Sequence, residues 1–258
     1  MGTLRAGWRL LLVAKTTALF YLLWALGNLL FLPWRRRRIR CRDFCFRNWS
    51  RWVLRILNAR IETRGHAPEP PFFLVANHLS YIDILVLAAS VDAVFIAKSD
   101  VSSWPIMGLL SSSVGTIFVD RNFRRDIPRV ITEIDRALAG GQGVVLFPEG
   151  TSTPGLEVGL FRPSLLEVAA RRRTPVSYAG LSYRTDSASQ PAHLSVCWWG
   201  DMEFAGHFWK LLSLPGFSAI LSFGPETIED EDRKRLAERL QKAVAGLFVP
   251  SHSIERLT

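Results

Sequence analysis

The apolar positions of this chain change their spacing repeatedly between residues 70 and 250. Short apolar runs, which predict buried strands, alternate with stretches whose apolar residues recur every three or four positions, as in amphipathic helices. The predicted strands are 72–76, 93–97, 116–119, 144–147 and 176–181, followed by 194–199 and 218–223. The predicted helices are 82–90, 104–111, 126–139, 164–173 and 231–247. This alternation predicts an α/β fold with a largely parallel sheet flanked by helices.

A different pattern precedes this region. Residues 16–32 carry no charge and are rich in Leu, Phe and Trp, and the apolar stretch reaches back to residue 10 if Lys15 extends its amine to the surface. Residues 44–58 then place apolar residues and arginines on separate faces of a helix. We therefore predict a hydrophobic helix and an amphipathic helix that anchor the chain in a membrane. Two arrangements fit: the first helix spans the bilayer, or it pairs with the second inside one leaflet.

The two patterns divide the chain at a proline-rich linker near residue 67. Residues 1–66 form the predicted anchoring segment, and residues 67–258 form the predicted α/β domain. The apolar run is too long for a signal peptide, it has no small-x-small cleavage site, and an arginine block follows it. These features argue against cleavage of the N-terminal segment.

The net charge of +9 is concentrated in this N-terminal segment. Residues 1–42 hold nine Arg or Lys and no acid, whereas the rest of the chain holds equal numbers of basic and acidic residues. Cations beside an apolar helix favour an anionic membrane as the partner, because a nucleic-acid-binding domain would spread them over a folded surface. By the positive-inside rule the arginine block and the following domain face the cytoplasm, and a bacterial inner membrane is the predicted location.

The first polar motif follows the first predicted strand. His78 comes two positions after the strand, and Asp83 lies five positions later at the start of a predicted helix. There a carboxylate can hold one imidazole nitrogen and leave the other free as a general base. Ser80 and Asp83 also match a helix capping box, so the carboxylate can equally be a cap. The histidine, in turn, can be a buried core residue.

Two further polar motifs follow predicted strands. Arg121 comes after strand 116–119, and Glu149-Gly150-Thr151 comes after strand 144–147. Ligands of open α/β sheets bind at the carboxyl ends of strands. An arginine there can bind phosphate through two hydrogen bonds, and backbone amides around a glycine can bind an anion. The simpler explanations are a solvated arginine paired with a nearby aspartate and a turn that needs glycine.

In this order, three stretches resemble the glycerolipid acyltransferase family, whose best-known members acylate lysophosphatidic acid to phosphatidic acid. They are Asn-His-Leu-Ser-Tyr-Ile-Asp at 77–83, Gly-Thr-Ile-Phe-Val-Asp-Arg at 115–121 and Phe-Pro-Glu-Gly-Thr at 147–151. The resemblance covers residues 70–185, approximately. It implies that residues 67–258 are an acyltransferase domain.

The resemblance also implies roles for individual residues. His78 is the expected base and Asp83 the residue that orients it. The expected ligands of the glycerol phosphate are Arg121, Glu149, Gly150 and Thr151. Lys98 lies where family members often carry a basic residue, and it is a secondary candidate for substrate binding. No metal ligand is predicted, because the five histidines show no metal-binding spacing.

The implied reaction is direct acyl transfer without a cofactor. The free hydroxyl of 1-acylglycerol 3-phosphate attacks an acyl thioester, either acyl-CoA or acyl-acyl carrier protein, and phosphatidic acid forms. One departure affects the acceptor: Ser152 follows Phe-Pro-Glu-Gly-Thr, where the family commonly has arginine. Losing a cation weakens phosphate binding, so lyso-ornithine lipid or another lysolipid without a phosphomonoester is the alternative acceptor. Arg162 or Arg124 could otherwise supply the charge.

Two functions of other classes fit the sequence less well than acyl transfer. A serine hydrolase of membrane lipids needs Gly-x-Ser-x-Gly, and residues 150–155 place their glycines one residue too far apart. A membrane scaffold without catalytic activity explains residues 1–58 but leaves the polar motifs at the strand ends unexplained.

Overall fold

The computed structural model describes residues 2–120 and 126–250. In this part of the chain, seven strands form one sheet in the order β1-β7-β6-β2-β5-β3-β4. The strands are β1 (Ala59–Arg64), β2 (Phe73–Ala76), β3 (Ala93–Lys98), β4 (Ile117–Val119), β5 (Gly143–Leu146), β6 (Val176–Arg184) and β7 (Phe217–Phe223). All neighbouring strands are parallel except β6 and β7. The predicted α/β class with a largely parallel sheet is confirmed.

Helices cover both faces of this sheet. They are α1 (Gly2–Leu30), α2 (Arg35–Ile56), α3 (Ile82–Ser90), α4 (Met107–Ser113), α5 (Ile127–Ala139), α6 (Glu167–Arg172), α7 (Ala192–Ser195), α8 (Phe204–Ser213) and α9 (Arg233–Leu247). Every residue of β2 and β5 is buried, as expected of central parallel strands between two helical layers.

The alternating side chains of β2 show how the two cores arise. Leu74 packs in the core beneath α2, α3 and α8, whereas Phe73 and Val75 pack in the core beneath α5, α6 and α9. Because successive side chains of a strand point to opposite faces, one short apolar run supplies both layers. The strand end is thereby held rigidly where the polar motif at 77–83 begins.

The predicted strand at 194–199 is wrong. Its first two residues belong to α7, and the following residues form a loop. Val196 and Cys197 are fully buried, and the Trp198 backbone amide donates to Leu79 O at 2.8 Å. The apolar run therefore marks a buried segment that packs under the 77–83 loop, and it adds no strand to the sheet.

Besides α7, two elements were not predicted. The edge strand β1 pairs with β7 although it is largely exposed and polar, so it has none of the apolar signal of a buried strand. It precedes the predicted linker, and the sheet therefore includes residues from both sides of position 66. The second element is α8, which lies between the misassigned segment and β7.

The N-terminal helices form an antiparallel pair. Trp49 of α2 donates to Thr17 of α1 at 3.0 Å, and Arg38 donates to Asn28 at 2.9 Å nearer the turn. The predicted amphipathic helix is longer than expected, because α2 already begins at Arg35. At its other end α1 is held by Arg9, whose buried guanidinium donates to the carbonyls of Leu212 in the last turn of α8 and of Leu214 and Pro215 after it.

Among the described helices, α1 is long and apolar enough to cross a membrane. Only 11% of its most apolar window is buried within the protein, so α1 exposes a large apolar surface. The N-terminal apolar helix therefore points to membrane association. The division into an anchoring segment and a catalytic domain stays a prediction.

Candidate active site

The carboxyl end of β2 leads directly into a histidine–aspartate pair. His78 follows the strand after one residue, and its Nδ1 lies 2.7 Å from Asp83 Oδ2. The imidazole is 22% exposed, whereas the carboxylate is completely buried. Among the described residues no group bonds to Nε2. With an ionised Asp83 as acceptor, Nδ1 carries the proton and Nε2 presents a lone pair to incoming molecules.

The Asp83 carboxylate is held by four donors. Besides His78, Oδ2 accepts from the backbone amides of Leu79 at 2.6 Å and Ser80 at 2.9 Å. The other oxygen, Oδ1, accepts from the Tyr183 hydroxyl at 2.7 Å. A buried charge is tolerated only when its hydrogen-bonding capacity is filled, and this network fills it. Asp83 thus has a fixed orientation toward the imidazole.

Half of the predicted capping box forms at the start of α3. The Asp83 carboxylate reaches back to the Ser80 backbone amide, as such a box requires. The Ser80 hydroxyl, however, is buried and has no hydrogen-bond partner among the described residues. The carboxylate therefore closes the helix start and holds His78 at the same time, so the two explanations of Asp83 do not compete.

The loop after β5 packs against His78 from a second side. The Phe147 ring stacks on the imidazole with centroids 4.3 Å apart, and Glu149 Oε1 accepts from the His78 backbone amide at 2.9 Å. The Thr153 backbone amide donates to His78 O at 2.9 Å. Gly150 has a φ of +78°, a conformation that favours glycine at this turn. The first and third motifs are therefore one structural unit.

Glu149 is a buried carboxyl with few donors. Burial raises its pKa to about 7, and the nearby Asp83 charge acts in the same direction. The hydrogen bond from the His78 backbone opposes this shift but does not overcome it. Gly159 lies so close that a Cβ at that position would meet Glu149 Oε2 at 2.7 Å. This carboxyl accordingly exchanges a proton near neutral pH beside the imidazole.

This geometry can be compared with known proteins. The family model described as Acyltransferase matches residues 58–178. A 1-acyl-sn-glycerol-3-phosphate acyltransferase of Neisseria meningitidis is 30% identical over 80% of this chain and 81% of the relative. The chain belongs to the acyltransferase family.

Other relatives of this acyltransferase carry a different name. A lyso-ornithine lipid O-acyltransferase of Rhizobium meliloti is 34% identical over 77% of this chain and 74% of the relative. The crystal structure of a 1-acyl-sn-glycerophosphate acyltransferase from Thermotoga maritima superposes with a TM-score of 0.62, covering 94% of this chain and 97% of the other. Its identity is 22%, so it shows the shared fold.

Of the other residues predicted to bind substrate in this acyltransferase, the structure describes Lys98 and Thr151. Lys98 lies at the carboxyl end of β3, where its exposed amine pairs with Asp100. Thr151 is exposed on the loop that carries Glu149. Arg121 and Arg124 lie outside the described residues. The substrate-binding roles of Lys98, Arg121, Glu149, Gly150 and Thr151 stay predictions.

The sequence assigns no role to two further residues of the site, Asn77 and Tyr183. The buried Asn77 amide exchanges two hydrogen bonds with the backbone of Leu181 and so joins the end of β2 to β6. Tyr183 contacts Asp83 from β6, and no spacing rule connects residues so far apart in the chain. Arg162, which the sequence predicts only as a possible source of charge, donates from Nε to Glu149 O at 3.2 Å.

Proposed function

We propose that this acyltransferase transfers an acyl chain from an acyl thioester to the free hydroxyl of a lysolipid, with His78 as general base. The observation that carries the proposal is the 2.7 Å contact between His78 Nδ1 and Asp83 Oδ2 beside a partly exposed imidazole. General-base catalysis needs an oriented imidazole with one free nitrogen, and this pair has that form.

The proposed step balances without a covalent enzyme intermediate. Nε2 of His78 accepts the proton of the lysolipid hydroxyl while the hydroxyl oxygen attacks the thioester carbonyl carbon. A carbon–oxygen bond forms, the carbon–sulfur bond breaks, and the thiolate leaves with the proton that His78 returns. Asp83 stabilises the transient imidazolium, because a buried and fully hydrogen-bonded carboxylate needs no rearrangement when that charge appears.

Two contacts of the third motif support the same assignment. Phe147 covers one face of the imidazole, and Glu149 holds the backbone of the same residue. A base is efficient only if its position is fixed relative to the reacting hydroxyl. The neighbouring motif restrains both the ring and the backbone of His78.

The proposed acceptor is 1-acylglycerol 3-phosphate, and phosphatidic acid is the product. Arg121, Lys98 and the loop Glu149-Gly150-Thr151 are the proposed ligands of the acceptor. Arg162 is a further candidate for the phosphate, because Nε anchors its guanidinium to Glu149 O. Among the described residues, no carboxylate pairs with this arginine, so its charge is available to an anion.

Lyso-ornithine lipid is the second candidate acceptor. Ser152 stands where an arginine is commonly found after the Glu-Gly-Thr motif, which removes a cation from the proposed phosphate site. The similarity to the Rhizobium meliloti relative favours the same alternative. The donor is acyl-CoA or acyl-acyl carrier protein in either case.

We further propose that the enzyme works at the cytoplasmic face of a bacterial inner membrane. The exposed apolar surface of α1 supports this, together with the arginines at the start of α2. Because the charged α2 runs antiparallel to α1, the pair is better suited to an anionic membrane surface than to crossing the bilayer together.

The test is an acyl-transfer assay with the full chain in mild detergent. Lysophosphatidic acid and lyso-ornithine lipid are offered separately with a long-chain acyl-CoA and with acyl-acyl carrier protein, and lipid products are identified by mass. We expect turnover of one acceptor, and His78→Ala should reduce it by roughly 10²–10⁴-fold. The exposed His66 lies in the segment between β1 and β2, away from the His78–Asp83 pair, so His66→Ala is the matched control. Retained activity in His78→Ala would contradict the base assignment.

A further inference from the structure

Tyr183 lies beneath the histidine–aspartate pair although it is 100 residues from Asp83 in the sequence. β6 continues beyond the end of β2, and the Asn77 side chain binds both backbone groups of Leu181 in this extension. Tyr183 is two residues further along and therefore points to the same face of the sheet. There it is completely buried, and its ring packs on Phe217 with centroids 5.9 Å apart.

The two oxygens of Asp83 have unequal sets of partners. Oδ2 accepts from His78, Leu79 and Ser80, whereas Oδ1 accepts from Tyr183 alone among the described residues. Burial and the Asp83 charge hold the pKa of Tyr183 well above its usual range, so the hydroxyl keeps its proton and donates. Without this hydroxyl, one oxygen of a buried carboxylate would lose its donor.

We propose that Tyr183 is a positioning residue of the acyl-transfer reaction. Its hydroxyl holds Asp83 Oδ1 so that Oδ2 faces His78 Nδ1, and it withdraws part of the negative charge that the carboxylate presents to the imidazole. This inference rests on the proposed roles of His78 and Asp83. It extends the pair to a chain of three residues that runs from the sheet to the exposed face of the imidazole.

Other titratable and charged groups surround the hydrogen-bonded residues Tyr183, Asp83 and His78. From the loop after β5, the Glu149 carboxyl accepts from the His78 backbone amide. Arg162 donates to the backbone carbonyl of Glu149. Tyr81 and Cys197 both interact with Tyr183, and the Tyr81 hydroxyl lies 3.0 Å from His207 Nδ1. Since Glu149 itself titrates at about pH 7, its effect must be separated from that of Tyr183.

The first test is the pH dependence of acyl transfer in Tyr183→Phe. A carboxylate without this donor holds the imidazolium more strongly, so the acidic limb of the kcat/KM profile should move to higher pH by about half a unit to one unit. We expect kcat to fall by about 3- to 30-fold while KM for the lysolipid changes by less than about twofold. The shift should persist in a Glu149→Gln background.

Ser182→Ala is the matched control, because it also removes a hydrogen bond of a buried hydroxyl in β6. The Ser182 hydroxyl lies on the opposite face of β6, where it accepts from the Val249 backbone amide at 2.9 Å. Its loss should lower thermal stability without moving the pH profile. A Tyr183→Phe profile that coincides with that of Ser182→Ala would overturn the proposal.

A second variant avoids the loss of the hydrogen bond. A tyrosine fluorinated beside its hydroxyl, placed at position 183 alone, keeps the contact and donates more strongly. The acidic limb should then move to lower pH, opposite to the effect of Tyr183→Phe. An unchanged limb in the folded fluorotyrosine protein would also overturn the proposal.

A chemical readout separates this inference from the proposed function. Diethyl pyrocarbonate modifies neutral imidazole, and peptide mass spectrometry reports modification of His78 at each pH without any turnover. The pH of half-maximal reactivity should rise in Tyr183→Phe and fall in the fluorotyrosine protein. If wild-type protein transfers no acyl group, the proposed function fails, whereas these reactivity shifts still decide how Tyr183 acts on His78.

Discussion

Asp83 and Glu149 are two buried carboxyl groups that both bond to His78, but the protein holds them in opposite ways. Asp83 meets the side chain of His78 and accepts from three other donors. Glu149 meets the backbone of His78, and burial raises its pKa to about 7. Two carboxyl groups that are both buried thus differ in the number of donors around them, and hydrogen bonds to a carboxylate favour its charged form.

The difference assigns each carboxyl a separate task. A carboxylate fixed by four hydrogen-bond donors is suited to stabilise an imidazolium, because it need not rearrange when that charge appears. A carboxyl that exchanges its proton near neutral pH contributes a less constant charge, but in either form it can accept from a backbone amide. We therefore regard Asp83 as the partner of the reacting imidazole and Glu149 as the support of the loop that carries it.

The largest expected effect comes from removing the Asp83 charge. In Asp83→Asn the side chain keeps its size but cannot stabilise the imidazolium or hold the Nδ1 proton in the same way. We expect kcat/KM to fall by roughly 10²–10⁴-fold. Asp186→Asn in the exposed turn after β6 is the control. If kcat/KM fell by less than about threefold in Asp83→Asn, Asp83 would not be the partner of the reacting imidazole, and the separate tasks given to Asp83 and Glu149 would be wrong.

A smaller effect concerns Glu149 and protein stability. The raised pKa means that the folded protein binds more protons than the unfolded chain between pH 4.5 and about 7. The contribution of Glu149 to stability is therefore greatest below the pKa that this carboxyl has in the unfolded chain. It falls as the pH rises from 4.5 to about 7, by up to about 3 kcal/mol. Glu149→Gln should lack this loss, because the amide does not titrate and still accepts from the His78 amide.

The measurement is thermal or urea-induced unfolding in detergent at pH 5 and pH 8 for wild type and Glu149→Gln. The advantage of the variant should be greater at pH 8. Glu157→Gln at an exposed position is the control and should behave as wild type does. An equal difference between wild type and Glu149→Gln at both pH values would mean that Glu149 is ionised throughout this pH range and would contradict its raised pKa.

The contrast also explains what could be predicted from the sequence. His78 and Asp83 are five residues apart at a strand end, so local spacing was enough to propose their contact. The central strands were predictable because parallel strands covered on both faces are continuously apolar. That the first and third motifs lie close together follows from the rule that carboxyl ends of parallel strands share one edge of a sheet, but the contacts of Phe147 and Glu149 with His78 were not predicted.

Other features depend on tertiary contacts that leave no local pattern. Tyr183 reaches Asp83 only because β6 extends beyond β2, and the inward direction of Glu149 depends on the close approach of Gly159. The polar edge strand β1 owes its existence to pairing with β7. The apolar residues at 194–199 were misread as a strand because burial under a loop and burial in a sheet select the same residue types.

The central claim is that the His78–Asp83 pair activates a lysolipid hydroxyl for direct attack on an acyl thioester. A single-turnover experiment tests it most directly: enzyme in excess is mixed with the thioester, with and without the acceptor identified by the transfer assay, and thiol release is followed. We predict release only when the acceptor is present, and loss of that release in His78→Gln. A burst of thiol release without acceptor would show a covalent acyl-enzyme and contradict the account.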